Sequence, residues 1–150
     1  MDHQPQQAIN HNINHKSGDA MNETTTDFGL NLIGQIAVPV ADIERAVAFY
    51  RDVLGMRFLF KAPPSLGFFD CGGVRLMLDV GAKTQMGNHS SVIYYKVADI
   101  AAAGAALKSR GVVFESEPHL VAKMPDHALW MGFFRDPDQN LLAIMCELRD

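Results

Sequence analysis

Among side chains that transfer protons near neutral pH, histidine is the most suitable, and this chain has six. His127 directly precedes an apolar run that contains Trp130, in the stretch HALWMGFF, which is typical of the start of a strand. The spacing could place an imidazole and an indole together at the mouth of a binding cleft. We therefore take His127 as the first candidate for a catalytic acid or base and Trp130 as a candidate ligand-binding side chain. The alternatives are a structural histidine bonded to a loop carbonyl and a tryptophan in the core.

Other chemistries have less support in the sequence. His11 and His15 have a spacing that could bind a metal on a helix, but residues 1–29 are rich in Asn, Gln and Thr and predict a disordered tail. The chain contains no GxSxG, P-loop, GxGxxG or HExxH motif. Cys71 and Cys146 form no CxxC pair and are interpreted as structural thiols of a reducing compartment.

Composition limits the partners that we expect. The chain of 150 residues has room for one domain, and its 48% hydrophobic and 20% charged residues are typical of a globular protein. A net charge of -4 without a basic stripe argues against a nucleic-acid partner. No apolar run approaches the roughly 20 residues that span a bilayer, and no secretion signal is visible, so we expect no membrane partner and a cytoplasmic location.

A repeated tetrapeptide indicates how the chain is organised. The letters VADI occur at 40–43 and again at 97–100, each time after an apolar run and before a helical pattern. Asp42 and Asp99 are predicted helix N-caps, and Gly55 and Gly111 are predicted to follow the helix ends. Such a repeat is typical of a duplicated structural unit.

Each copy is followed by segments that read as three strands. In the first copy these are 56–61, 67–70 and 74–80, and in the second 112–115, 128–134 and 141–147. The sequence thus predicts an α+β fold in which two tandem βαβββ modules form curved mixed sheets around a cleft. Module 1 spans about 30–81 and module 2 about 91–148, joined by a linker at 82–90 within a single domain, 30–150.

Two stretches carry a family resemblance that covers about residues 31–148. The stretch IAVPVADIERAVAFYRDVLGMRF, followed by a tract ending FFRDPDQNLLAIM, resembles the vicinal oxygen chelate superfamily, which includes glyoxalases, bleomycin-resistance proteins and extradiol dioxygenases. The resemblance implies that the two modules enclose a cleft, often where two chains meet. Because two open sheets would expose their edges and the family usually covers them by pairing chains, we expect a homodimer.

The resemblance also implies where a metal would bind. Metalloenzymes of the superfamily hold a divalent ion with four residues, and the matching positions here are Gln35, Met77, Val92 and Ala143. Valine and alanine have no donor atom, and methionine offers only a soft thioether. We therefore expect no metal or other cofactor, while Gln35 remains a catalytic candidate. Glutathione-dependent members have an arginine where this chain has Pro39, which counts against that activity.

Strand alternation predicts which side chains face the cleft, because successive residues point to opposite faces. Each of the three predicted strands that contain Met77, Val92 or Ala143 has one largely apolar row suited to packing under a helix. The opposite row is then the ligand-binding set: Arg75, Met77, Asp79, Val92, Tyr94, Lys96, Ala143, Met145 and Glu147. The charged members could instead be ordinary solvated residues at strand ends.

Three functions remain open from the sequence. The first is a protein that binds a small organic ligand in the cleft without the usual metal and either sequesters or transforms it. The second is a metal-dependent lyase, isomerase or dioxygenase whose displaced site uses Gln35, His127 and an acidic residue such as Asp79 or Glu147. The third is a non-catalytic partner protein that uses the fold only as a scaffold.

Overall fold

The computed structural model describes residues 28–82 and 91–149. The chain divides into two units, Met1–Asn31 and Leu32–Asp150. Of the first unit only 28–31 are described, and they contain no helix or strand. Most of the predicted tail, including His11 and His15, and nearly all of the predicted linker lie outside the described residues, so the disordered tail stays a prediction.

The predicted βαβββ order is present twice in the second unit. Module 1 consists of β1 Gln35–Pro39, α1 Ile43–Ala48, a π-helical segment Phe49–Val53, β2 Arg57–Ala62, β3 Leu66–Cys71 and β4 Val74–Asp79. Module 2 consists of β5 Ile93–Lys96, α2 Ile100–Ser109, β6 Phe114–Lys123, β7 Ala128–Arg135 and β8 Leu141–Leu148. Each module forms a four-stranded mixed sheet, sheet 1 in the order β1-β4-β3-β2 and sheet 2 in the order β5-β8-β7-β6. The predicted fold class is confirmed.

The helix caps and helix-ending glycines predicted from the sequence are present in the structure. The carboxylates of Asp42 and Asp99 accept hydrogen bonds from the amides three residues ahead, each at 3.0 Å. Such caps satisfy donors that the first helical turn leaves free. Gly55 and Gly111 have positive φ angles of 68° and 94°, which glycine adopts without a steric cost.

Two elements differ from the sequence prediction. The first helix continues beyond Ala48 as a π-helical segment, in which the Leu54 amide donates to the Phe49 carbonyl at 3.0 Å. Strand β6 reaches Lys123 instead of ending at Glu115, and it passes through Pro118. Proline, which donates no backbone hydrogen bond, is tolerated here because β6 is an edge strand whose register shifts three times.

One hydrophobic core lies on the helix-facing sides of both sheets. Tyr50, Phe69, Leu78 and Phe134 are almost fully buried in it. The apolar rows expected beneath the helices are there, since Leu76 and Leu142 also belong to this core. Within the described residues no helix is long and apolar enough to cross a membrane.

The two stretches that carry the family resemblance meet at the contact between the modules. Asp136, from the segment DPDQN, is only 2% exposed and accepts a hydrogen bond from the Tyr50 hydroxyl at 2.9 Å. Asn140 donates its amide hydrogen to the carbonyl of Pro39 at 2.8 Å, and Asp138 accepts from the amide of Ala41 at 2.7 Å. The segment therefore joins module 2 to the first strand and helix of module 1.

Candidate functional site

The candidate site is built on the face of each sheet that lies away from its helix, called here the open face. In sheet 1, Leu76 and Leu78 are in the core, so Arg75 and Met77 of the same strand point to the open face. Strand register places Met77 beside Phe68, and Phe68 beside Phe60. A row of apolar side chains thus crosses the open face of sheet 1.

Aromatic contacts organise that row. The rings of Phe60 and Phe68 lie 4.7 Å apart at an angle of 30°. The guanidinium carbon of Arg75 lies 5.7 Å from the centre of the Phe68 ring, within the range of a cation–π contact. Phe60 remains 48% exposed. The open face of sheet 1 therefore offers an accessible aromatic surface with a cation beside it.

The positions that match metal ligands in the family do not provide a matching donor set. The amide nitrogen of Gln35 lies 3.7 Å from the Met77 sulfur, so these two side chains already contact each other. Val92 and Ala143 have no donor atom. The residues present do not fit a four-residue site for zinc, iron, manganese or nickel.

A displaced metal site would need other ligands to converge. Among residues 28–82 and 91–149, no three His, Cys, Asp or Glu side chains come together as a metal-binding group.

The open face of sheet 2 also has an aromatic pair. Tyr94, Ala143 and Phe133 are neighbours across β5, β8 and β7. The rings of Tyr94 and Phe133 lie 5.9 Å apart, nearly perpendicular to each other at 86°. Ala143 is 0% exposed although it lies on the open face, whereas Tyr94 is 46% exposed. Small Ala143 thus forms the floor of this face, and the flanking rings form its walls.

The next row of sheet 2 is built from flexible apolar side chains. Met145 pairs in register with Lys96 on one side and with Met131 on the other. Both methionines are half-buried and Lys96 is exposed. Methionine adapts its shape to a bound surface. Met131 and Phe133 are additions to the predicted ligand-facing set, and the register of β7 against β8 is the information that was needed to find them.

His127 lies in the turn between β6 and β7, where its carbonyl accepts a hydrogen bond from the Met124 amide at 2.8 Å. Its Nδ1 is 2.8 Å from a carboxylate oxygen of Asp126, and only 17% of the side chain is exposed. A neutral imidazole that donates from Nδ1 to this carboxylate keeps Nε2 as an acceptor. The arrangement is that of a histidine oriented by a carboxylate, and Asp126 was not predicted although it adjoins His127 in sequence.

A chain of charges continues from this pair. The guanidinium of Arg149 lies 3.0 Å from the second oxygen of Asp126 and 3.4 Å from Glu147. The hydrogen bond from His127 lowers the pKa of Asp126, and Arg149 adds a smaller effect in the same direction. Glu147 was predicted as a ligand-facing residue, and the structure shows that it shares an arginine with Asp126.

The predicted position of Trp130 is wrong. Trp130 pairs in register with Cys146, which lies in the core, so its indole is on the helix-facing side of sheet 2 and packs against that core. The alternation of β7 gives the open face to Met131 and Phe133 instead. Trp130 therefore does not join His127 at a cleft mouth, and the core alternative considered for it matches the structure.

Asp79 and Val92 are the last two members of the predicted ligand-facing set. One carboxylate oxygen of Asp79 accepts a hydrogen bond from the Gly81 amide at 2.7 Å, at the end of β4. Val92 is half-buried and directly precedes β5. A ligand-binding role for either residue stays a prediction.

Comparison with known proteins identifies the family. Residues 32–144 match the family model of the Glyoxalase/Bleomycin resistance protein/Dioxygenase superfamily, and the chain belongs to this family. A curated relative, the uncharacterized protein YraH of Bacillus subtilis, is 30% identical over 126 residues, which is 73% of this chain and 94% of YraH.

Solved structures have the same fold. A lactoylglutathione lyase from Agrobacterium tumefaciens is 22% identical with a TM-score of 0.64, covering 77% of this chain and 93% of its own. The antibiotic-binding protein TnmS3 from Streptomyces sp. CB03234 is 24% identical with a TM-score of 0.64, covering 81% and 99%. At these identities the similarity establishes the fold, and the activity has to be argued from the site.

Proposed function

We propose that this protein binds a small organic molecule with a flat, partly apolar body on the open faces of its sheets, without the four-residue metal site of its metalloenzyme relatives. The proposal rests mainly on one observation: the paired aromatic rings on each open face, Phe60 with Phe68 and Tyr94 with Phe133. Apolar surface that stays accessible is typical of an interaction site. Stacking on such rings contributes about 0.5–1.5 kcal/mol per pair beyond the burial of area.

The charged and polar side chains around the rings would orient the ligand. Arg75 already lies over Phe68 and has hydrogen-bond donors that an acidic or carbonyl group could accept from. Pockets for small molecules usually combine an apolar lining with a few such polar groups. The antibiotic-binding relative lends support to a ligand of this class, since it has the same fold.

Transformation of the ligand would require an acid–base group such as His127, whereas sequestration would not. Nε2 of His127 can accept a proton when the ring is neutral, while Asp126 holds the other nitrogen at 2.8 Å. If the ligand is transformed, we assign general acid–base catalysis to His127 and positioning of its ring to Asp126. Gln35 would then donate or accept a hydrogen bond on the opposite sheet.

Ligand binding can be tested by screening aromatic small molecules with saturation-transfer NMR and measuring the affinity of each hit by calorimetry. Tyr94→Ser removes one ring from the open face, and we expect it to weaken binding by about tenfold or more. Val113→Ser is the matched control, because Val113 is an exposed apolar residue, 84% accessible, just before β6. Equal affinities of the two variants would contradict the proposal.

The metal-free part of the proposal has its own test. Protein without a tag is dialysed against zinc, iron, manganese and nickel ions and analysed by mass spectrometry. We expect no stoichiometric metal and a melting temperature that chelator does not change. About one ion per chain, lost on Gln35→Ala, would show a metal site at the position that the family uses.

We also propose that the protein is a homodimer. The two sheets are not closed, and each has two edge strands, β1 and β2 in sheet 1 and β5 and β6 in sheet 2. Open edges are usually covered in native proteins, because their free backbone groups pair with other chains. Sedimentation at micromolar concentration should show twice the chain mass, whereas only a 16.5 kDa species would exclude a dimer.

A further inference from the structure

A groove of about 340 Å³ lies between the modules on the helix-facing side of sheet 2. Module 1 contributes Leu54, Met56 and Cys71 to its wall. The rest of the wall comes from module 2: Tyr95, Lys96, Val97, Ala103, Ala106, Leu107, Arg110, Phe134 and Ile144. Its volume falls within the range of small-molecule pockets, about 300–1,000 Å³.

The groove is open along helix α2 because the helix has alanine side chains there. Ala103 and Ala106 lie three residues apart on one stripe of the helix, Arg110 follows as its C-cap residue, and all three line the groove. Leu107 and Phe134 form part of an apolar floor behind them. The lining therefore suits an apolar chain or ring.

Positive charge lies in the wall of the same groove. One guanidinium nitrogen of Arg110 donates to the carbonyl of Val53 at 3.0 Å, which holds the arginine against module 1. Within 28–82 and 91–149, no carboxylate pairs with Arg110, whereas Arg45, Arg51, Arg135 and Arg149 all have carboxylate partners. Arginine presents several donors in a planar fork that matches a carboxylate.

We propose that this groove binds a small carboxylate with an apolar body, whose carboxylate contacts Arg110 and whose body lies against Ala103, Ala106 and Leu107. The groove lies on the opposite side of sheet 2 from its open face, because Tyr95 and Ile144 of the groove alternate with Tyr94 and Ala143 of the open face along β5 and β8. Lys96, at the end of β5, borders both. Its ligand would contact both modules at once.

Octanoate is a suitable probe, and octan-1-ol is its neutral counterpart of equal length. Calorimetry on the full chain should show one octanoate per chain and binding of octan-1-ol at least about tenfold weaker, because a charged acceptor strengthens the bonds to arginine. Equal affinities of the two probes would overturn the assignment of a carboxylate.

Substitutions inside and outside the groove test whether octanoate binds there. Ala106→Trp fills the groove and should abolish octanoate binding, while Ala105→Trp, at an exposed position of the same helix outside the groove, should leave it unchanged. Arg110→Gln provides a milder change that leaves the cavity open, and it should weaken binding by about tenfold. Unchanged affinity in both Ala106→Trp and Arg110→Gln would overturn the proposal even if one of them unfolds more easily.

Cys71 provides a readout inside the groove. It is half-buried, and burial together with Asp70 raises the pKa of its thiol, so alkylation by iodoacetamide is followed above neutral pH. Bound octanoate should slow the alkylation of Cys71 several-fold, as measured by peptide mass spectrometry, and Arg110→Gln should reduce this protection. If Tyr94→Ser removes the binding of octanoate and Cys71 is never protected, the probe binds an open face and the proposal is wrong.

Discussion

The contact between Tyr50 and Asp136 makes a quantitative prediction about stability. Tyr50 is 0% exposed, and its hydroxyl donates to Asp136 at 2.9 Å. Asp136 also accepts hydrogen bonds at 2.8–2.9 Å from the side-chain amide of Asn140 and from the backbone amides of Asp138 and Asn140. The variant Tyr50→Phe removes one donor from this carboxylate and leaves the ring and the other three bonds in place.

The expected loss follows from the charge and burial of the acceptor. A hydrogen bond to a charged group contributes about 1.5–3 kcal/mol to the free energy of unfolding. For a chain of this length each 1 kcal/mol corresponds to about 2–4 °C in melting temperature, so we expect a decrease of about 3–12 °C. Burial and Asp136 raise the pKa of Tyr50. This contribution is therefore fully present below the ordinary pKa of tyrosine and is lost as the pH rises from that value through the higher folded value.

Tyr95→Phe is the matched control, because the Tyr95 hydroxyl is buried without a hydrogen-bond partner among the described residues. Removing an unsatisfied buried group should leave stability unchanged or raise it by up to about 1–3 kcal/mol. Urea unfolding at neutral pH, followed by circular dichroism, measures both variants. The reasoning is refuted if Tyr50→Phe unfolds at the wild-type midpoint, or if Tyr95→Phe loses as much stability as Tyr50→Phe.

Two further predictions concern the second module. Gly132→Ala would place a Cβ 3.0 Å from the Pro118 ring and 3.1 Å from the Pro118 backbone nitrogen, so we expect urea unfolding to show a free energy of unfolding lower by about 1–3 kcal/mol. Gly34→Ala is the control and should change it little, because no atom lies within 4 Å of the added Cβ. His127→Ala should raise the pKa of Asp126 toward its ordinary value, as measured by carbon-detected NMR, because the hydrogen bond from His127 is the main cause of the depression. In the wild type, the stability that comes from this depressed pKa is present above the unfolded pKa of Asp126 and is lost as the pH falls through the folded value. If Asp126 titrates unchanged in His127→Ala, the hydrogen bond from His127 is not the cause of the depression.

The sequence alone was sufficient for the duplicated fold and for the faces of β4, β5 and β8. The VADI repeat, the Asp42 and Asp99 caps and the glycines after each helix are local signals, since each depends on residues within a few positions of itself. Strand alternation is equally local, and for this reason the prediction that Arg75 and Met77 point away from the core agrees with the structure.

The side chains that meet across the chain could be seen only in the tertiary structure. Trp130 lies beneath a helix because β7 pairs with β8 in a register that places it beside Cys146, and the alternation within β7 alone does not specify that register. The same holds for Arg149, which reaches Asp126 across 23 residues, and for the bond that joins Tyr50 to Asp136 across 86. Local patterns determined which segments of this protein form helices and strands. The packing of the two modules against each other decided which polar groups are partners and where a groove remains.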